Sequence, residues 1–144
     1  MRIVNKQVNL KDIQEKIEAG VVLLGSEVKA IRLGHADLNG SYVKIIGSEA
    51  YLINAKIFPY KFSRTDNYDE RRTRKLLLHK KEILSLKSRL DQGNFSLVPT
   101  SLYIKNGNIK LEIVLGRGQK AYEKRKDSKR RVLDRVAERE LKQF

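Results

Sequence analysis

A β-hairpin signal in the second half of the chain is the feature that most constrains the fold. Asn106 and Gly107 are the residue pair favoured at the centre of a type I′ turn, where both positions require a positive φ angle. Beyond the turn, every second residue of 109–115 is apolar, and the residues between them include charged ones. This alternation predicts a strand with one buried face, because successive side chains of a strand point to opposite sides.

Short runs rich in β-branched and aromatic residues precede this hairpin. Gly47 and Ser48 lie between two such runs and fit a two-residue hairpin loop. Apolar residues three and four apart predict helices over 9–19 and around 83–90, each followed by a glycine. The runs predicted as strands are 21–24, 27–31, 42–46, 51–58, 76–78, 95–98 and 101–104.

This order of elements indicates the fold class. Short strands in this number close best as a small barrel, since closure leaves no unpaired strand edge. We therefore predict a mainly β fold for residues 1–116, an OB-fold-like closed antiparallel β-barrel with a few short helices.

The charge balance indicates the kind of partner. The chain has 31 Lys and Arg against 17 Asp and Glu, a net charge of +14, which favours a polyanion and first of all a nucleic acid. It has no cysteine, which excludes disulfides, thiol nucleophiles and cysteine-ligated metals. No apolar run approaches the ~20 residues of a transmembrane helix, and the first ten residues lack the apolar segment of a secretory signal. We expect a cytoplasmic protein.

The C-terminal segment 117–144 differs in kind from the rest. It holds 11 basic and 5 acidic residues, and the stretch 123–131 contains six Lys or Arg and no apolar side chain. A narrow apolar stripe follows that stretch, which is marginal for an isolated helix in water. We predict a second unit, a basic tail that is disordered in the free protein and helical when phosphates neutralise it.

Three basic segments are candidate contacts with RNA. Residues 25–32, interpreted as a strand, carry charges on one face, for which an ordinary sheet face with paired charges is the alternative. Residues 69–81 place several arginines before an apolar anchor, and arginine binds phosphate bidentately, although most charge runs are solvated loops. Residues 116–125 place Tyr122 among cations, where it can stack on an unpaired base.

The sequence offers little for catalysis. His35 and His79 have neither an evident acidic partner nor a metal-ligand spacing. No phosphate-binding loop or dinucleotide fingerprint is present. We expect no catalytic residue, no metal site and no cofactor.

Four motifs together resemble those of a bacterial family, the SsrA-binding proteins, also called small protein B. They follow one another in register over nearly the whole chain, which is hard to obtain by chance. The motifs are Gly25-x-Glu-Val-Lys-x-x-Arg32, Arg71-Arg-Thr-Arg-Lys-Leu-Leu-Leu-His79, the hairpin from Leu97-Val-Pro99 to Asn106-Gly107, and Gly118-x-Lys-x-Tyr-x-Lys-Arg125 followed by Lys129 and Asp134.

The resemblance implies a function. It implies an oligonucleotide-binding barrel without enzymatic activity that binds the tRNA-like domain of transfer-messenger RNA (tmRNA). It implies further that the protein, with elongation factor Tu, accompanies this RNA into ribosomes stalled on truncated messages. The basic tail is then expected to enter the empty mRNA channel beside the decoding centre of the small subunit and to fold into a helix there.

The resemblance also implies which residues contact RNA. The implied contacts are Glu27, Lys29 and Arg32 on an RNA-facing strand, Arg72, Arg74 and Lys75 in the basic segment, and Lys120, Tyr122, Lys124 and Arg125 in the tail.

The sequence departs from the family in two places. Segment 5–12 has neither the usual His nor the usual Tyr, and Gln119 and Glu123 replace a common Lys and a common Asp.

We therefore predict a monomeric RNA-binding adaptor in ribosome rescue. Its affinity is expected to come mostly from phosphate neutralisation, and its recognition from RNA shape. A structural ribosomal protein, or another rRNA-binding OB-fold protein, shares the same basic composition. An RNA-modifying or RNA-cleaving enzyme that uses Glu27 or a histidine is a further alternative, whereas residues 133–144 lack the broad apolar face of a membrane-surface helix.

Overall fold

The computed structural model describes residues 2–64, 67–118 and 120–142, and in the C-terminal helix the side chains of residues 130–141. The strands are β1 (Arg2–Val4), β2 (Leu10–Val21), β3 (Ala36–Asp37), β4 (Tyr42–Ile46), β5 (Glu49–Ile53), β6 (Lys56–Ile57), β7 (Arg74–Leu77), β8 (Phe95–Lys105) and β9 (Asn108–Gly118). The helices are α1 (Gly25–Arg32), α2 (Lys80–Asp91) and α3 (Lys120–Lys142). The predicted mainly β class is confirmed.

Most strands belong to one antiparallel sheet. Its order is β1-β8-β4-β5-β7-β2-β9, and β8 also pairs with β9. The contact between β4 and β8 is the residue pair Val43 and Leu97. Because β8 pairs with both β4 and β9, the pairings lead from β8 through five other strands back to β8. Buried apolar side chains of all these strands form one core.

The hairpin between β8 and β9 is confirmed. Asn106 and Gly107 have φ angles of 51° and 78°, as a type I′ turn requires. Leu111 and Ile113 of β9 are completely buried, as the alternation predicts. Val114 on the opposite face is also buried, so β9 is covered on both sides at that point.

Several other predicted elements are confirmed, some with different limits. β4 has the predicted limits, and the loop Gly47-Ser48 joins it to β5. β7 followed by α2 is also as predicted. The strand predicted over 51–58 is divided into β5 and β6 next to Asn54, whose φ angle is 65°. The two strands predicted on either side of Pro99 are one strand, β8, with an irregular register there.

β2 replaces the helix predicted over 9–19, so that prediction is wrong. Ile17 and Ala19, two residues apart, are buried, and this part of β2 pairs with β9. Ile13, which fits the helical spacing, is exposed and lies at a register shift next to Asp12, whose φ angle is 51°. A partner strand remote in sequence decides the structure here, because helix propensity is a weak preference that tertiary contacts override.

α1 replaces the strand predicted over 27–31, so that prediction is also wrong. Glu27, Ala30 and Ile31 are buried, and residues three and four apart share one face of a helix. The Glu27 carboxylate accepts a hydrogen bond from the backbone N–H of Leu24 at 2.9 Å. This bond satisfies one of the free N–H groups at a helix start.

α3 differs from the disordered tail expected for the free protein. Its residue Ala137 is buried against Tyr42 and Ile53 of the sheet, with Leu133 beside them. Asp134 accepts hydrogen bonds from the Tyr42 hydroxyl and the Lys44 ammonium, each at 2.6 Å. A narrow apolar stripe is sufficient here because polar contacts to the sheet supplement it. Among the described residues, no helix has the length and apolar character that crossing a membrane requires.

Candidate nucleic-acid interface

A buried ion pair joins α1 to β7. The Oε2 atom of Glu27 accepts hydrogen bonds from Nε and Nη2 of Arg74 at 2.8 and 2.6 Å, and neither side chain is accessible to solvent. The Arg74 guanidinium also donates to the backbone carbonyls of Ala55, Glu70 and Arg72, at 2.8–3.0 Å. These bonds compensate the cost of removing the two charges from water.

Arg72 and Tyr68 complete this network. Arg72 donates a hydrogen bond to Oε1 of Glu27, and the Tyr68 hydroxyl donates to Oε2 at 3.0 Å. Burial alone raises the pKa of Glu27, but hydrogen bonds from Arg72 and a backbone N–H, with the charge of Arg74, hold this pKa below its ordinary value. Burial and the Glu27 charge raise the pKa of Tyr68 to about 12. One carboxylate therefore compensates two guanidiniums, and a net positive charge remains.

The structure places two of the predicted RNA contacts, Glu27 and Arg74, in the interior of the free chain. Glu27 and Arg74 are 1% and 0% exposed, so neither side chain is presented to a partner at the surface. Charged side chains are rarely buried unless they are paired, and the sequence does not show which arginine is paired. In the structure these two residues hold α1 against β7.

α1 presents cations above this buried pair. Lys29 and Arg32 are exposed on α1. The Nη2 atom of Arg32 lies 3.4 Å from the carbonyl oxygen of Gly107, which places this cation beside the β8–β9 turn. The side chain of Arg72 is 31% exposed and leads from the buried network to the surface. The structure thus places three of the predicted contacts around α1.

The other predicted contacts lie elsewhere. Lys75 is on the opposite face of β7 from Arg74, and its ammonium forms an ion pair with Glu49 at 3.6 Å. The predicted tail contacts are residues of α3, whose backbone the structure describes. Their side chains lie outside the described part of the structure. These tail residues are Lys120, Tyr122, Lys124 and Arg125.

Sequence reasoning missed an aromatic segment beside α1. Phe58, Tyr60 and Phe62 follow β6 at alternate positions, and Phe62 is 79% exposed. The Lys29 ammonium lies 5.5 Å from the centre of the Tyr60 ring. The signal was present in the sequence, since residues 56–64 combine these three aromatics with three cations and no carboxylate.

It also missed a polar cluster on the sheet surface. The Tyr103 hydroxyl donates a hydrogen bond to Glu18, the Arg2 guanidinium lies 4.5 Å from the centre of the Tyr103 ring, and the Lys105 ammonium lies 3.4 Å from Glu18. The Tyr103 bond lowers the pKa of Glu18, whereas burial and this neighbouring carboxylate raise the pKa of Tyr103 to about 12. Arg2 also forms an ion pair with Glu112 at 3.5 Å, so the two cations of this cluster face two carboxylates.

The exposed cations and aromatic rings described above are suited to binding a ligand. Within residues 2–64, 67–118 and 120–142, no three His, Asp or Glu side chains are placed to hold a metal ion. His35 is exposed, and the backbone N–H of His79 donates to Glu82 at 3.1 Å, at the start of α2. Exposed cations and aromatics on a fixed framework match the phosphates and bases of a nucleic acid.

Comparison with known proteins agrees with this chemistry. The family model described as "SmpB protein" matches residues 3–143. The chain is 45% identical to the SsrA-binding protein of Syntrophotalea carbinolica over 130 residues, which are 90% of this chain and 87% of that protein. It is 47% identical to the SsrA-binding protein of Microcystis aeruginosa over 135 residues, which are 93% of this chain and 88% of that protein. A solved structure described as "tmRNA-SmpB: a journey to the center of the bacterial ribosome" has a TM-score of 0.68 and 39% identity, with 94% of this chain and 96% of that chain covered.

Proposed function

This chain belongs to the SmpB protein family, and from that membership we propose that it is the RNA-binding adaptor of trans-translation. It binds tmRNA and acts with this RNA on stalled bacterial ribosomes. The observation that carries the proposal is the match of almost the whole chain to SsrA-binding proteins and to a tmRNA-SmpB structure. These comparisons do not favour a structural ribosomal protein.

The finer parts of the proposal concern the fold and the partners. The ring of strand pairings supports an OB-like closed barrel as the RNA-binding unit. We expect this unit to bind the tRNA-like domain of tmRNA as a monomer in the cytoplasm, together with elongation factor Tu. The protein contributes binding and no catalytic step.

The interface around α1 suits folded RNA. Lys29, Arg32 and Arg72 are attached to one framework through the buried pair of Glu27 and Arg74. Cations held at fixed spacing recognise an arrangement of phosphates, which is how structured RNA is read, because its deep major groove hides the bases. Affinity is then expected to fall steeply with salt concentration.

The tail has a separate role in the proposal. The helix α3, which follows the last strand, contains the predicted tail contacts Lys120, Tyr122, Lys124 and Arg125. We expect this helix to occupy the empty mRNA channel, with Tyr122 and its neighbouring cations near the decoding centre. Phosphates along the channel would neutralise the basic helix.

Two assays on one variant test this division of roles. A chain that ends at Gly118 keeps all the strands of the described structure. We expect it to bind a tRNA-like-domain transcript in gel shifts nearly as well as the full chain, but to fail in tagging truncated translation products. Circular dichroism would first show that it is folded. Loss of transcript binding by the folded variant would refute the division of roles, and failure of the full chain to bind would refute the adaptor function.

A direct test addresses the cations of α1. Lys29→Gln is expected to weaken transcript binding and to reduce its salt dependence, since one phosphate contact is lost. Lys87→Gln is the matched control, because Lys87 is an exposed lysine on α2 whose described contact is a weak bond, 3.5 Å long, to the Gly47 carbonyl. Equal effects of the two substitutions would show that α1 is not the RNA-binding surface.

A further inference from the structure

The segment Phe58–Ser63, here called the aromatic loop, exposes apolar rings that contribute little to the core. Phe58 and Phe62 are 38% and 79% exposed. The rings of Tyr60 and Phe62 meet edge to face, with 5.6 Å between their centres. Pairing with Tyr60 leaves most of the Phe62 ring in water, so folding stability does not explain a phenylalanine at this position.

Each ring of the aromatic loop has a lysine ammonium near it. Lys56 lies 4.6 Å from the centre of the Phe58 ring, and Lys61 lies 5.7 Å from the centre of the Phe62 ring. Lys29 of α1 approaches the Tyr60 ring in the same way. Such exposed cation–π contacts are weak, about 0.5–1 kcal/mol each, so they leave Lys29, Lys61 and the rings available to a ligand, whereas Lys56 also forms an ion pair with Glu70 at 3.4 Å.

The base of the aromatic loop is held in place. The backbone N–H of Phe58 donates to the carbonyl of His35 at 3.1 Å, and that of Ser63 donates to the carbonyl of Tyr60 at 3.0 Å. Pro59 restricts the backbone between these points. The first bond ties the start of the loop to the segment that follows α1, and the second closes a turn around Lys61 and Phe62; this local order lowers the entropy cost of binding.

We propose that the aromatic loop is a stacking site for unpaired nucleotides of RNA. Phe62 stacks on a base, while Lys61 and Lys29 contact the adjoining phosphates. This inference rests on the proposed function and names the part of the RNA that this surface takes, a single-stranded loop or bulge. Residues 56–64 carry three cations and no carboxylate, which favours an anionic ligand over a membrane or an apolar protein surface.

The absence of tryptophan from the chain provides a direct probe. In the full-length variant Phe62→Trp, the only indole lies in the aromatic loop. Stacking on a base would quench its fluorescence. We expect quenching by an unstructured 12-nucleotide RNA and by a tRNA-like-domain transcript, and little quenching by a blunt RNA duplex or by poly-glutamate.

Binding measurements complete the test. Phe62→Ala is expected to weaken binding of the unstructured RNA at least about fivefold, the lower end of what loss of one base–aromatic stack costs. Its salt dependence stays unchanged because no charge is removed. Leu84→Ala is the matched control, since Leu84 is an exposed apolar residue on α2 (61%). Phe62→Trp should retain the affinity.

Three results would overturn the inference. These are wild-type affinity of Phe62→Ala for unstructured RNA, unchanged indole emission of Phe62→Trp with every RNA, and equal quenching by poly-glutamate, which would indicate a surface for acidic proteins. A separate outcome concerns the proposed function alone. If the wild-type chain bound unstructured RNA but not the tRNA-like-domain transcript, the adaptor function would fail and the stacking site would stand.

Discussion

Replacing Glu27 by Gln tests how much the buried ion pair stabilises this fold. The amide keeps the size of the side chain but loses the negative charge that faces Arg74 and Arg72. Arg74 keeps its bonds to three backbone carbonyls, yet its charge stays buried without a counter-charge. The amide NH₂ group would also direct a donor at a guanidinium that can only donate.

The expected loss of stability is large. Removing one member of a buried, hydrogen-bonded ion pair costs about 3–5 kcal/mol. For a chain of this size, this lowers Tm by roughly 9–15 °C, at about 3 °C per kcal/mol. Glu49→Gln is the control, because it removes the partner of an ion pair whose side chains are 45% and 42% exposed. Exposed pairs contribute about 0–1 kcal/mol.

Urea unfolding followed by circular dichroism at pH 7 measures both variants. Equal m-values would show that the same surface is exposed on unfolding, so the midpoints report stability. A loss of less than about 1 kcal/mol for Glu27→Gln, similar to that of the exposed control, would refute the reasoning, because it would mean that the buried charge is compensated in another way.

The same pair makes a pH-dependent contribution. The pKa of Glu27 in the folded chain lies below its ordinary value of 4.5, so the charged carboxylate stabilises the folded state above that pH. This contribution is lost as the pH falls through the folded-state pKa, because the carboxylate then binds a proton in both states. Repeating the urea titration from pH 7 to pH 3 should therefore show a smaller loss of stability in Glu27→Gln than in the wild-type chain. Equal losses would show that other carboxylates dominate.

Three further substitutions test other parts of the structure. Asp134→Asn weakens the contact of α3 with the sheet, and we expect faster hydrogen exchange in residues 130–141 with little change in the urea midpoint; Glu138→Gln, 3.9 Å from Lys44 and exposed, is the control. Tyr68→Phe removes a hydroxyl that lies 3.0 Å from Oε2 of Glu27 and 2.9 Å from the Ile57 carbonyl, and it should cost about 1 kcal/mol, the contribution of one hydrogen bond, because Glu27 keeps its bonds from Arg74 and Arg72. Gly107→Ala forces a φ angle of 78° on alanine and should cost about 1 kcal/mol, whereas Gly25→Ala, with open space around its Cβ, should not destabilise the chain.

Local signals predicted the parts of the fold that local interactions decide. The Asn106-Gly107 turn and β9 follow from backbone preferences and from alternation within a dozen residues. Segments 9–19 and 27–31 were predicted wrongly because their partners lie far away in sequence. Ile17 is buried by β9, and Glu27 is buried by Arg74, 47 residues later. No local pattern contains that information.

The candidate interface, like the fold, could be predicted from the sequence only in part. The basic composition and the motif resemblance indicated an RNA-binding surface, but they could not separate exposed cations from buried ones. Lys29 and Arg74 look equivalent in the sequence, although one is exposed and the other completely buried. Burial of an arginine depends on where a carboxylate is placed by another element, which only the folded chain decides.

The two basic parts of the chain are attached to the framework with very different strength, and this difference fits their proposed roles. The helix α1, which carries two of these cations, is fixed by a charge pair that water does not reach. The described part of α3 is held by one buried alanine, by Asp134, which accepts hydrogen bonds from Tyr42 and from the partly exposed Lys44, and by Glu140, which accepts from the backbone N–H of Thr73 at 3.3 Å. These contacts are few and mostly partly exposed, and phosphates that bind the cations of the helix can offset their loss. We therefore expect RNA to bind the α1 surface without rearrangement of the sheet, whereas α3 can leave its position on β4 and β5 at small cost.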